Sequence, residues 1–331
     1  MEALFFWVGK GYIKREQFNR NLMMNFKGGD ILTTSTLSRG DIDTIMAAAA
    51  DFMPVADKQK TSSLLADKVL AALFYEPSTR TRLSFETAML RLGGRVITVV
   101  GMESSSLAKG ETLYDTARVV ENFADVIAMR HPQPGSVREV ADAASIPVIN
   151  AGDGAGEHPT QALLDVFTII RERKKLEGLT VAMVGDLKYG RTVHSLSYLL
   201  SHYGVKLILV SPDLLKMPKE VTDVLKERKI EFTETEDMGE ALKHAQVIYS
   251  TRVQKERFSD LKEYERFKNY YVLTREQIEK HNGKMTIMHP LPRVGEISMD
   301  VDDLPGAAYF RQVKNGVAVR MALLALVLGK V

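Results

Sequence analysis

The sequence predicts an α/β protein of two tandem domains, each a parallel sheet flanked by helices. Three observations predict it. Apolar runs such as Val69-Leu70-Ala71-Ala72-Leu73-Phe74 lack the alternation of a half-exposed strand and read as strands covered on both faces. Such runs alternate with helical patterns along both halves of the chain, as βαβ units do. The chain has 331 residues, and single cores stop growing near ~250–300 residues.

The elements are expected in this order. Residues 38–53 read as a helix, with Ser38 as cap, Asp41 three residues on, and Ile42, Ile45 and Met46 on one face. The buried strand through Phe74 ends at Pro77, and a helix begins at or just after Ser78 and is closed by Gly93-Gly94. Residues 95–100 form the next strand, followed by a loop of Ser and Gly over 101–110 and a helix with Leu113, Ala117, Val120 and Ala124 on one face. A strand at 126–129 runs into Arg130-His131-Pro132, and a helix at 136–144 and a strand at 147–150 complete the first half. The break is placed near Asp153–Pro159. The second half repeats the logic. Strands at 180–185, 206–210, 231–233, 247–250 and 285–288 alternate with helices at 193–203, 218–229, 238–245 and 275–281, and an apolar helix over 317–328 closes the chain. Residues 1–23 fit no part of this pattern. They read equally as a packed arm, a tail or an upstream start.

Composition narrows the function classes. Apolar residues make up 45% and charged residues 26%, with a net charge of +2. That is no field for nucleic acid or an anionic membrane, so any anion binding has to come from local placement of cations. With no cysteine, disulfides, thiol catalysis and cysteine-based zinc sites are excluded. No run approaches the ~20 apolar residues of a membrane span.

The cations are placed in a pattern. Arg80, Arg130, His158, Arg191, Arg252 and Arg293 each follow the C-terminal end of a predicted strand within a few residues or lie in the loop it opens. Ligands of parallel α/β sheets sit in that crevice, so the expected ligand is small and multiply anionic. Around Arg80, the residues Ser78, Thr79 and Thr81 are cap types at a helix N-terminus, whose free N–H groups form an anion cradle, and Arg82 adds a second charge. Alone, this stretch also fits an ordinary capped helix with solvated arginines. Pro159 fits the first helical position, which makes His158 the N-cap and puts Gln161 on the same face. A helix N-terminus disfavours imidazolium, so a neutral histidine is expected there. The stretch Val184–Ser195 lacks G-x-G-x-x-G, which argues against a nicotinamide cofactor.

The run Ser78-Thr79-Arg80-Thr81-Arg82 behind an apolar strand resembles the phosphate-binding motif of the carbamoyltransferases. The loop Ser104–Glu111, Arg130-His131-Pro132, His158-Pro159-Thr160-Gln161, Gly185–Arg191, Thr251-Arg252-Val253-Gln254 and His289-Pro290-Leu291-Pro292-Arg293 extend the resemblance over most of the chain. They narrow it to the catalytic chains of the aspartate carbamoyltransferase family. The ornithine-specific relatives carry cysteine in the H-C-L-P motif, where this chain has Pro290, and a dicarboxylic acceptor wants arginine forks.

The resemblance implies a C-terminal helix that returns to the first domain. It implies a carbamoyl-phosphate-binding domain at 1–158 plus 314–331 and an aspartate-binding domain at 159–313. Ser78, Thr79, Arg80, Thr81, Ser105, Arg130, His158, Gln161, Leu291 and Pro292 match carbamoyl-phosphate positions. Of these, Arg80, Thr81, Arg130 and His158 carry the catalysis. Lys109, Arg191, Arg252 and Gln254 match aspartate positions. The implied reaction gives N-carbamoyl-L-aspartate and phosphate in de novo pyrimidine biosynthesis, with no metal or organic cofactor. The implied assembly is a cytoplasmic homotrimer in which Ser105 and Lys109 enter a neighbour's site. Whether regulatory chains attach is left open. One position departs from the family: Glu157 stands where an amide such as Gln is expected, and a carboxylate beside an anion site costs affinity unless it points away.

Overall fold

In the computed structural model, residues 24–253, 264–265, 267, 270–281 and 283–331 are described, together with the backbone of two short strands at 5–8 and 11–14. Those two strands, β1 (Phe5–Val8) and β2 (Gly11–Lys14), pair antiparallel as a hairpin.

The first sheet holds β3 (Val69–Phe74), β4 (Arg95–Val100), β5 (Val126–His131) and β6 (Val148–Asp153), all parallel, in the order β4-β3-β5-β6. The second holds β7 (Thr180–Val184), β8 (Lys206–Val210), β9 (Glu231–Thr235), β10 (Val247–Ser250) and β11 (Thr286–Met288), again parallel, in the order β11-β10-β7-β8-β9. In each sheet the chain winds outward on one side and then crosses to the other. The crossings fall between β3 and β5 and between β7 and β10. Loops leaving strands at such switch points diverge and open a crevice.

The helices follow the sequence closely. The first, α1 (Arg39–Ala56), opens on a capping box in which Ser38 and Asp41 exchange side-chain and backbone hydrogen bonds. Then come α2 (Thr79–Arg91) with Ser78 at its N-cap, α3 (Leu113–Val120), α4 (Ser136–Ala143) and α5 (Pro159–Arg173) with His158 at its N-cap. The second half adds α6 (Arg191–Leu200), α7 (Lys219–Glu227), α8 (Met238–His244), α9 (Arg275–Lys280) and α10 (Tyr309–Val327).

Four expectations are corrected. Helix α3 stops at Val120, so Ala124 packs from the loop behind it. Helix α6 starts at Arg191, inside what reads as a loop, and ends at Leu200. Strand β5 carries Arg130 and His131 within it. The largest change is α10, which begins at Tyr309, eight residues before the apolar run. Its first turns carry Gln312 and Asn315, which do not look like core, yet both are buried because α5 supplies partners. Gln312 Nε2 donates to Asp165 Oδ1 at 2.6 Å, and Asn315 Nδ2 donates to Thr168 Oγ1 at 3.1 Å.

Helix α10 packs on α1, α2 and α5, and so returns to the first half as expected. At Gly316 a Cβ would lie 2.8 Å from Arg320 Nη1 and 2.9 Å from Leu164 Cδ2, so glycine leaves room there for both side chains. Helix α5 touches α6, β6 and β11 as well, and one continuous apolar cluster runs from α1 through α5 and α10 to β7 and α6. The two sheets are thereby held against a shared spine of helices, with their switch-point loops facing one cavity.

Candidate active site

A cavity of about 440 Å³ opens where these loops meet. From the first half it is lined by Glu76 through Thr81 behind β3, by Arg130 at the end of β5 and by His158 and Gln161 at the start of α5. The second half contributes Arg191 and Thr192 behind β7, Thr251 and Arg252 behind β10 and residues 289–292 behind β11. The lining is dominated by arginine, histidine and hydroxyl groups, which suits a small ligand of several negative charges.

Each side chain is held by local structure. Arg130 lies between two polar neighbours: its Nη2 is 2.8 Å from Glu76 Oε2, and its Nη1 donates to the Ala151 carbonyl at 3.4 Å. The same Glu76 oxygen lies 3.7 Å from Arg191 Nη2, and Arg191 Nη1 donates to the Gly154 carbonyl. Gly152, at φ +121°, leaves room for this pair, since a Cβ there would sit 2.8 Å from Arg130 Nη1. Burial, with Arg191 next to it, lowers the Arg130 guanidinium to about 10. Arg80 Nη2 donates to the Leu291 carbonyl at 2.7 Å, joining the two halves across the cavity. Burial and then the nearby Arg252 charge lower Arg80 as well. An anionic ligand between these arginines would offset their mutual repulsion.

His158 is the neutral donor expected at a helix N-cap. It is buried, and that burial, reinforced by Arg191, Arg130 and Arg320, pushes it well below the ordinary histidine range. Its Nε2 lies 3.4 Å from Thr81 Oγ1. Gln161 Nε2 donates to Asp165 Oδ1 at 2.9 Å, which leaves the Gln161 carbonyl free to accept from the cavity.

Of the residues expected in the site, Ser78, Thr79, Arg80, Thr81, Arg130, His158, Gln161, Arg191, Arg252, Leu291 and Pro292 line this one cavity. Ser105 and Lys109 do not. They sit on a loop that carries a short 3-10 turn at Ser106–Lys109, away from the cavity of their own chain. Gln254 lies outside the described residues. Two arginines grouped with the crevice point elsewhere. Arg293 pairs with Asp302, its Nη2 2.7 Å from Oδ2, and lies over the Tyr309 ring. Arg82 turns along α2 toward Glu86, 3.8 Å away.

Glu157 points away from the anion cradle. Its carboxylate accepts from the Thr34 backbone N–H at 2.8 Å, from the Thr33 and Thr34 hydroxyls, and from Ser195 Oγ at 3.3 Å.

Sequence reasoning missed a layer of buried polar groups behind the site. Asp165 Oδ2 accepts from Tyr249 OH at 2.8 Å, and Asp165 is the common acceptor for Gln161 and Gln312. Burial raises its carboxyl to about 7. Arg320, buried on α10, donates to Thr160 Oγ1 at 3.2 Å and lies over the Phe85 ring. The available signal was a single charge inside a short apolar run, once in Leu163-Leu164-Asp165-Val166-Phe167 and once in Val319-Arg320-Met321.

The aspartate/ornithine carbamoyltransferase family models match this chain twice: the carbamoyl-P binding domain over residues 29–171 and the Asp/Orn binding domain over residues 177–327. The chain belongs to the aspartate/ornithine carbamoyltransferase family. Among curated members, the aspartate carbamoyltransferase catalytic subunit of Leptospira biflexa is 50% identical over 307 residues, covering 93% of this chain and 99% of that one. The corresponding subunit of Thermococcus kodakarensis is 48% identical over 306 residues, covering 92% and 99%. Among solved structures, aspartate transcarbamoylase from Trypanosoma cruzi in complex with carbamoyl phosphate and aspartate superposes with a TM-score of 0.87 at 41% identity, covering 92% of this chain and 98% of that one. The catalytic subunit from M. jannaschii gives a TM-score of 0.84 at 49% identity, covering 89% and 96%.

Proposed function

We propose that the cavity binds carbamoyl phosphate and L-aspartate and transfers the carbamoyl group to the aspartate amine. The products are N-carbamoyl-L-aspartate and phosphate, in de novo pyrimidine biosynthesis. The observation that carries this reading is the convergence of Arg80, Arg130, His158, Arg191 and Arg252 on one cavity, supplied by the switch-point loops of two sheets.

Ser78, Thr79, Arg80 and Thr81 hold the phosphate at the N-terminus of α2, with Ser105 supplied by a neighbouring subunit. Gln161 accepts from the carbamoyl amide, and the carbonyls of Leu291 and Pro292 accept amide and amine hydrogens. Arg191, Arg252, Gln254 and the neighbour's Lys109 orient the aspartate carboxylates. The amine nitrogen attacks the carbonyl carbon. Negative charge develops on the carbonyl oxygen, where Thr81, Arg130 and His158 meet it. The bond from carbon to the phosphate oxygen then breaks, Arg80 takes up the charge of the leaving group, and the phosphate accepts the amine proton. As drawn, the reaction uses no metal, organic cofactor or covalent nucleophile. Much of the rate comes from holding together two anions that repel each other in water.

We assign 1–158 plus 314–331 to carbamoyl phosphate and 159–313 to aspartate, in a cytoplasmic homotrimer with shared sites. Ser105 and Lys109 lie off the cavity of their own chain, which supports sharing. Among the described residues, no helix is long and apolar enough to cross a membrane. The test is phosphate release by the purified chain given carbamoyl phosphate, with aspartate and with ornithine. Release with aspartate alone is expected. Release with ornithine alone, or with neither, overturns the reading.

A further inference from the structure

The loop behind β11 carries two buried titratable groups that the reaction above does not use, His289 and Glu296, 1% and 6% exposed. Their hydrogen bonds leave one protonation pattern. The Leu291 backbone N–H lies 2.8 Å from His289 Nδ1. A backbone N–H only donates, so Nδ1 carries its lone pair and the imidazole proton sits on Nε2. Nε2 is 2.6 Å from Glu296 Oε1, and so donates to a carboxylate. The other carboxylate oxygen accepts the N–H groups of Val294, at 3.0 Å, and Gly295, at 2.9 Å. The backbone N–H of His289 donates to Gln312 Oε1 at 3.1 Å. Two side chains thus hold the backbone of a loop in which Leu291 adopts φ +53°, a left-handed conformation that a leucine does not keep unaided.

We propose that the His289–Glu296 pair is a positioning device for the Leu291 carbonyl: neutral His289, its proton held on Nε2 by Glu296, fixes the loop so that this carbonyl faces the cavity as an acceptor. The inference rests on the reading of the cavity given above and extends it to two residues that have no part in the binding or chemistry proposed there. The Leu291 carbonyl already accepts from Arg80 Nη2, so the pair also sets where the Arg80 guanidinium stands. Burial, outweighing the Glu296 charge, pushes His289 below the ordinary histidine range. At Glu296 burial works the other way, but the hydrogen bonds from His289 and the loop amides prevail and hold it at about 2. The direction at His289 agrees with the tautomer read from the geometry.

Two amide substitutions, each matching one ring nitrogen, separate positioning from packing. His289→Asn leaves an acceptor near the Nδ1 position and keeps the bond to Leu291. His289→Gln leaves a donor near the Nε2 position and keeps the bond to Glu296 while losing the acceptor. Expected for the full chain is a loss of about 10- to 100-fold in kcat/KM for His289→Gln, by analogy with the loss of a group that orients a metal ligand. His289→Asn is expected to lose several-fold less, at a comparable thermal midpoint. Equal losses in the two variants, or an unimpaired His289→Gln, overturn the positioning role. The nitrogen-15 shifts of His289 in the unsubstituted protein provide a second readout that needs no variant to fold: Nδ1 should remain unprotonated from pH 8 to pH 6, and a protonated Nδ1 overturns the proposal. An unsubstituted chain that releases no phosphate overturns the reading of the cavity instead, whereas an active chain with an equally active His289→Gln overturns this inference alone.

Discussion

Arg80 is set apart from the other cations of the cavity by what it touches. Arg130 and Arg191 share a carboxylate, Glu76, whereas Arg80 meets a neutral carbonyl and the field of Arg252. Its charge is therefore the least compensated of the three and the most available to an oxygen that gains charge as it leaves. Losing one donor to a developing oxyanion typically costs ~10²–10³ in rate. Arg80→Ala is expected to cost more than about 10³ in kcat, because it strips the leaving phosphate of a full charge as well as a hydrogen bond. Steady-state phosphate release at saturating aspartate measures this, and a variant keeping a tenth of normal turnover would refute the assignment. The residues Ser78 to Arg82 were legible in the sequence because an apolar strand, a proline and a run of cap types leave few local structures open. The direction of a long side chain was not legible. Arg82 and Arg293 have the right spacing and turn to Glu86 and Asp302, carboxylates whose positions only the folded chain decides.

Between elements, Glu157 shows how a residue that looks wrong at the site can serve the scaffold. It stands one position before the His158 N-cap of α5, and it joins Thr33 and Thr34, ahead of α1, to Ser195 on α6. It thus ties together both sides of the cavity at the point where α5 departs. Removing the carboxylate leaves the Thr34 N–H and three hydroxyls to find other acceptors, and an unsatisfied buried group costs about 1–3 kcal/mol. Glu157→Ala is expected to lower the thermal midpoint accordingly and Glu157→Gln to do so less, while the KM for carbamoyl phosphate stays within about threefold because the charge faces away. A KM that falls tenfold in Glu157→Gln would show the carboxylate repelling the substrate and sink this account. Strand positions were read well for a related reason: Val69–Phe74 and Lys206–Val210 lie inside parallel sheets, where burial on both faces leaves an unbroken apolar run. The start of α10 was not, because Gln312 and Asn315 are buried against Asp165 and Thr168 of a helix 147 residues away. Polar pairing across such a separation leaves no periodic trace.

At the scale of the whole molecule, the histidines give stability a common dependence on pH. His131, His158, His194, His202 and His289 are all held below the ordinary value of 6.5, in each case chiefly by burial, and His202 is lowered to about 4. Above pH 7 these groups are neutral folded or unfolded and contribute nothing to the dependence. As pH falls below 6.5 the unfolded chain takes up protons that the native state refuses, so stability is lost through the window from about 6.5 down to about 4. Asp165 acts in the opposite sense. Its native carboxyl is raised to about 7 from 3.8, so between those values the folded state holds a proton that the unfolded chain has released, which favours folding as pH falls. The five histidines act in one sense and Asp165 offsets part of their effect, so on balance unfolding takes up protons through this window. The thermal midpoint is therefore expected to fall steeply between pH 6.5 and pH 4.5 and to change little between pH 7.5 and pH 8.5. Asp165→Asn, which removes the opposing group, should make the acid limb steeper by about one proton. A midpoint that is flat to pH 5 would mean that the histidines take up protons inside the folded protein, and with it the neutral His158 on which the oxyanion site depends would have to be abandoned.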